Sequence, residues 1–331
     1  MNNNDIDFVI PWVNSNDSKW ASKLRQYDLG NLKSENVDGD SEERFRDYDT
    51  LKFLLRSIDK FAPWVHRVFL VTDKQIPDWL NINYSKVEIV DHTDIIDAKF
   101  LPTFNSNAIE FSFDKIPNLS DNFVAFNDDF LINRSVKPDD FFSNGIPRDF
   151  RIYTPLLPLD SFDVMQFNNI LAINEWLDKK WPLTKKGFFS TKYGKSQIHN
   201  FIHILTKQKI SNYMLSHNAL SINKISYIKA KQIWHKQIIN TISHRFRSNS
   251  DVTIWLVRYL QLETGNFRPR SPHFSRYFTL NDHEQIFSEL SHPKHYLICI
   301  NDSNTKDYVK VTKLLHNKLL TRFPNKSKFE I

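Results

Sequence analysis

The stretch DTLKFLLRSIDKFAPWVHRVFLVT, residues 49–72, decides the fold. Asp49 or Thr50 can cap a helix whose apolar residues Leu51, Leu54, Leu55 and Ile58 recur at helical spacing, and Pro63 closes it. A short apolar run rich in β-branched residues follows at 67–72 and reads as a strand. Helix followed at once by strand is the unit of a layered α/β sheet.

The same alternation extends to either side. Residues 6–13, IDFVIPWV, form an apolar strand that opens into the turn-forming Asn14-Ser15-Asn16-Asp17. A further strand is expected at 87–90. Ser106 can cap a helix running through Ile109 and Phe113, and 122–126 is another short strand that ends in Asn127-Asp128-Asp129. Ligands of such sheets sit at the carboxyl ends of the strands, where these acidic loops lie.

Past Pro158 the pattern changes to helical stretches at about 195–209, 223–241 and 250–263, joined by lysine-rich connections. A late strand at 296–300, ending in Asn301-Asp302, is expected to return to the first sheet. The chain therefore reads as one unit, 1–331: an α/β part at 1–157, a mainly helical part at 158–290, and a returning strand with a C-terminal helix at 291–331. The fold class is α/β, a Rossmann-like or glycosyltransferase-A-like sheet with helices on both faces and a helical C-terminal half.

Composition narrows the function. At 331 residues, 40% of them hydrophobic, the chain can fill a real core. Its one cysteine, Cys299, rules out an intramolecular disulfide framework and a zinc–thiolate site, and fits a reducing cytoplasm. No window reaches the roughly 20 apolar residues needed to span a bilayer, and the N-terminus lacks a basic region followed by a long apolar stretch. A protein that is cytoplasmic, or peripheral at a membrane face, is expected. The formal charge of +6, with its excess between Lys179 and Arg247, suits an anionic partner. No zinc finger, RNP-like motif or glycine-rich platform points to nucleic acid.

The residues that could do chemistry are few. Asp128 and Asp129, just past a buried strand, can offer oxygen ligands to Mg²⁺ or Mn²⁺, and equally can form a solvated turn. Arg44 and Arg46, ahead of a helix, present guanidinium forks suited to phosphate or to a surface salt bridge. Glu110 is either a supporting carboxylate or a plain helical residue. His217, and the run His244-Arg245-Phe246-Arg247, supply a group that titrates near neutrality and a cation for a phosphoryl transition state, although most single histidines are structural.

Read together, four blocks resemble the Stealth family, which contains bacterial capsular polysaccharide phosphotransferases and the animal N-acetylglucosamine-1-phosphotransferase. They are IDFVIPWVNSND; RFRDYDTLKFLLRSIDKFAPWVHRVFLVTDKQIPDWL with LPTFNSNAIE and NFVAFNDDFLINRSVKPDDFF; His217 with FRSNSDVTIWLVRYL; and CINDS. Two departures stand out: Ile10-Pro11 where relatives often have Tyr-Thr, and His217-Asn218-Ala219 where they have His-x-Pro. Insertions typical of the animal enzyme are absent, so the compact bacterial, capsule-making branch is the nearer comparison.

The resemblance implies a UDP-sugar donor and a glycan acceptor, free or lipid-linked. The acceptor hydroxyl attacks the phosphorus attached to the sugar and UMP leaves, whereas an ordinary metal-dependent glycosyltransferase would release UDP. It further implies Mg²⁺ (or Mn²⁺) on Asp128 and Asp129 with Asp302 in support, phosphates on Arg46 and Arg247, and His217 as base. Asn14, Asp17, Arg44 and Glu110 would serve the donor. Contact with the inner membrane face or with capsule machinery is a further expectation.

Overall fold

The computed structural model describes residues 5–27, 49–178, 182–206, 209–215, 217–303 and 305–331. Its strands are β1 (Ile6–Pro11), β2 (Val68–Thr72), β3 (Val87–Asp91), β4 (Asn122–Ala125), β5 (Phe130–Ile132), β6 (Phe142–Ser143), β7 (Ile146–Asp149), β8 (Leu220–Asn223), β9 (Arg268–Pro269), β10 (Ser275–Thr279) and β11 (Leu297–Asn301). The main sheet has the order β3-β2-β1-β4-β8. Its first four strands are parallel and β8 closes the edge antiparallel to β4.

Both faces of this sheet are dry, as the near-continuous apolar runs of its strands require. Phe8 and Ile10, with Val68, Leu70 and Val124, pack against Leu51, Leu54, Leu55 and Ile58 of the Thr50–Phe61 helix. The alternate residues Val9, Phe69, Val71 and Phe123 join Ile170, Ile173, Tyr227 and Leu256 from the helical half. That half is thus the roof of the sheet's second face. Phe8 is fully buried, with the rings of Trp64, Phe126 and Phe141 around it; truncating such a residue to alanine costs about 3–5 kcal/mol.

The late strand does not return to the first sheet. β11 pairs parallel with β10 and antiparallel with β5, in a separate sheet. The physical reason lies in the edges: β8 already covers β4, while the turn after β4 sends the chain out to form β5, which offers a fresh ladder of backbone groups.

Other boundaries moved for local reasons. Asp49 stands at the start of the Thr50–Phe61 helix with φ +66° and makes no side-chain cap bond. Asn105, rather than Ser106, caps the short Ser106–Glu110 helix by accepting from the Asn107 amide. The helix expected at 223–241 is two, Lys224–Ile233 and His235–Ser243, broken at Trp234. A long helix, Ser161–Leu177, had no clear periodic signal because its inner face carries Gln166 and Asn169, buried and bonded to Tyr259 and Thr253. Among the described residues no helix is long and apolar enough to cross a membrane.

Candidate active site

In the order 3-2-1-4 the chain first builds outward from β1 on one side and then crosses to the other, so β1 and β4 flank the point where the topology reverses. Crevices form there, at the carboxyl ends of the strands. A cavity of about 440 Å³ opens at this place, with Pro11 at the end of β1, Trp12 and Val13 after it, and Asn127, Asp128 and Asp129 after β4 in its walls. Glu110, His217 and Arg247 line it too. Five of the residues singled out in the sequence thus come from four separate segments to one cavity.

Asp129 is clamped between the two sheets. Its backbone carbonyl accepts from Ile300 N at 2.9 Å, and its Oδ2 accepts from the Cys299 thiol at 3.2 Å. The other oxygen, Oδ1, is buried with no hydrogen-bond partner among the described residues. Burial pushes this carboxyl up to about 6, against the pull of the Cys299 hydrogen bond. An orphaned oxygen is costly unless something else meets it. A hard divalent cation is a fitting occupant, with Asp128 alongside. Among the described residues no group of three His, Cys, Asp or Glu side chains is gathered to hold a metal, so its remaining ligands would have to be donor oxygens and water.

Arg247 reaches back across the cavity to Ser106, whose hydroxyl accepts from Nε at 3.1 Å and from Nη2 as well. The loop that carries it is pinned by fully buried Asp251, which accepts from Asn105 Nδ2 at 2.8 Å and from Ser248 N at 3.1 Å, and pairs with His244 Nδ1 at 2.6 Å. His244 is therefore a brace, not a cavity residue. Burial pushes the Glu110 carboxyl up to about 7, with Arg247 pulling it the other way.

His217 sits at φ +35° with its ring stacked on Tyr277 at 4.0 Å, while its carbonyl accepts from Ser275 Oγ at 3.0 Å. Burial lowers its pKa to about 4, with Asp160 opposing. The imidazole is neutral at physiological pH and can accept a proton. His235, by contrast, is exposed at the start of its helix and away from the cavity wall.

The remaining assignments fall elsewhere. Asp17 caps the Ser18–Tyr27 helix, its Oδ1 accepting from Lys19 N and Trp20 N. Asn14 exchanges hydrogen bonds with Gln75, through its backbone N–H and C=O. Asp302 follows the cavity residue Asn301 and accepts from Ser303 N with Oδ1 at 2.7 Å. Arg44 and Arg46 lie outside the described residues.

Sequence reasoning did not find Asp160, Phe162 or Tyr277, which line the same cavity. The first two belong to the helix start that periodicity missed, and Tyr277 to a strand, β10, that was not read. A second cavity of about 300 Å³ shares His92 and Thr103 with the first and adds Lys23 and Lys74.

Comparison with known proteins adds three relatives and a family model. Residues 44–149 match the model of Stealth protein CR2, conserved region 2. An exopolysaccharide phosphotransferase of Lactiplantibacillus plantarum is 40% identical over 98% of this chain and 96% of its own. A capsular polysaccharide phosphotransferase of Streptococcus pneumoniae is 37% identical over 99% of each. A receptor polysaccharide phosphotransferase of Streptococcus gordonii is 36% identical over 98% of this chain and 99% of its own. Among solved structures, the galactosyltransferase LgtC in complex with donor and acceptor sugar analogues aligns over 97% of this chain and 98% of that one, at 10% identity and a TM-score of 0.42, too low to inform the site.

Proposed function

The chain belongs to the Stealth family, and from that premise we propose that it is a polysaccharide phosphotransferase: it moves a hexose-1-phosphate from a UDP-sugar to a glycan hydroxyl, forming a phosphodiester and releasing UMP. The observation that carries this reading is the convergence of Asp128, Asp129, Glu110, His217 and Arg247 on one cavity at the switch point of the sheet.

The acceptor oxygen bonds to the phosphorus next to the sugar as the bond from that phosphorus to the bridging oxygen breaks. UMP takes the electron pair, and the sugar–oxygen bond is untouched, so anomeric configuration is kept. Such transfer needs in-line alignment and charge neutralisation more than covalent help. Arg247, oriented by Ser106, faces the phosphates. His217, neutral and stacked on Tyr277, takes the hydroxyl proton. A Mg²⁺ or Mn²⁺ on Asp128 and Asp129 would neutralise the diphosphate. Asp302, next to the cavity residue Asn301, would support that metal from the end of β11. The second cavity, with Lys23 and Lys74, gives an elongated donor room to extend.

The test is incubation with a panel of UDP-sugars, Mg²⁺ and a capsule-type acceptor, followed by phosphorus NMR and nucleotide analysis. A phosphodiester signal with stoichiometric UMP is expected. Release of UDP without a phosphodiester would make the protein a glycosyltransferase and overturn the proposal.

A further inference from the structure

Among the described residues the Gln197–Thr206 helix is anchored through Asn200 and His203 on one side. Asn200 is fully buried, bonding Tyr153 N, the Arg151 carbonyl and the Phe188 carbonyl, and His203 stacks on Tyr153 at 4.4 Å. Its opposite side carries Ile198, Phe201, Ile202 and Leu205, an i, i+3, i+4, i+7 stripe of large apolar residues. They are 55%, 52%, 53% and 65% exposed. A continuous stripe of this kind differs from the scattered apolar residues of ordinary surfaces.

The charge around the stripe is one-sided. Residues 179–250 contain 14 Lys and Arg and not one Asp or Glu, while the rest of the chain carries an excess of acid. Lys192 and Lys195 stand exposed just before the helix and Lys209 just after it. An apolar helix face edged with lysines and free of carboxylates matches the surface of an anionic bilayer, which offers acyl chains beneath negative headgroups. A second copy of this chain would present the same positive field and repel it.

We propose that the Gln197–Thr206 helix lies in the interface of an anionic membrane, burying Ile198, Phe201, Ile202 and Leu205, with Lys192, Lys195 and Lys209 on the headgroups. The chain that anchors the helix at Tyr153 continues through exposed Leu157 and Leu159 to Asp160 and Phe162 in the cavity wall. The membrane contact is thereby linked to the mouth of the cavity. This inference does not rest on the phosphotransfer reading.

The experiment is flotation of the full chain with phosphatidylglycerol–phosphatidylcholine vesicles and with phosphatidylcholine alone. Binding to the anionic vesicles, weakened by high salt and by neutral lipid, is expected. Phe201→Ser with Ile202→Ser, and separately Lys192→Glu with Lys195→Glu, should each weaken it about tenfold or more, with far-UV circular dichroism and the melting temperature unchanged. Equal partitioning of wild type and both variants would overturn the proposal, as would absence of binding to anionic vesicles. So would a dimer detected by light scattering that the Phe201→Ser, Ile202→Ser variant abolishes.

Discussion

The Cys299 thiol donates to Asp129 Oδ2 at 3.2 Å, a contact made across 170 positions of sequence. Burial, together with the neighbouring carboxylate, holds that thiol well above its ordinary pKa, so it stays a donor. One oxygen of Asp129 is thus fixed by the second sheet while the other is buried with no hydrogen-bond partner among the described residues.

Asp129→Asn is expected to remove nearly all turnover while the fold survives. Loss of a metal carboxylate costs two or more powers of ten in rate, about 3 kcal/mol of transition-state stabilisation. Wild-type activity should vanish in excess EDTA and return with Mg²⁺ or Mn²⁺. Full activity in EDTA would remove the metal from the reading.

At saturating metal, which keeps Asp129 ionised, the acid limb of the rate profile is predicted near pH 4, where His217 titrates, rather than near 6.5. His217 must be neutral to accept a proton, so activity is present above its folded pKa and lost as pH falls through it. His217→Ala should lower turnover by about 10²–10⁴-fold. A limb near 7 that disappears in Glu110→Gln would transfer the proton to Glu110, whose carboxyl titrates there.

Arg247 is held as a fork, with two of its nitrogens on the Ser106 hydroxyl. A lysine brings the charge without the fork. Arg247→Lys should therefore lower kcat/KM for the donor about tenfold or more, near 1.4 kcal/mol. Near-native values would reduce the residue to a surface cation.

Away from the site, Arg151 and Glu263 form a fully buried pair, with Tyr153 and Tyr213 also bonded to Glu263. Removing one partner strands the other charge. Glu263→Gln should cost about 3–5 kcal/mol in a denaturant titration, and a loss below 1 kcal/mol would show that the pair relaxes into water.

How much of this was legible in the sequence follows from what each residue is bonded to. The strands β1 to β4 and the Thr50–Phe61 helix announce themselves because their burial is mostly apolar, with Asp7, Ser57, Thr72 and Asn122 as the buried exceptions. The Ser161–Leu177 helix and β8 do not, since one buries Gln166 and Asn169 and the other is a four-residue edge. Asp128 and Asp129 could be read from a strand end. Asp251 carried no local signal: its partners Asn105 and His244 become neighbours only when the loop folds onto the Ser106–Glu110 helix. Asp17 is bonded as a helix cap, and its place among the donor residues comes from the resemblance alone.

The brace on Asp129 also has a meaning in time. A ribosome delivers the carboxylates early, but the strand that clamps them, and the Asn301 that completes the cavity wall, emerge some 170 residues later. A nascent chain holding Asp128 and Asp129 therefore lacks the second sheet that completes their cavity. Synthesis that stalls in the helical half leaves a fragment without the wall that β11 supplies.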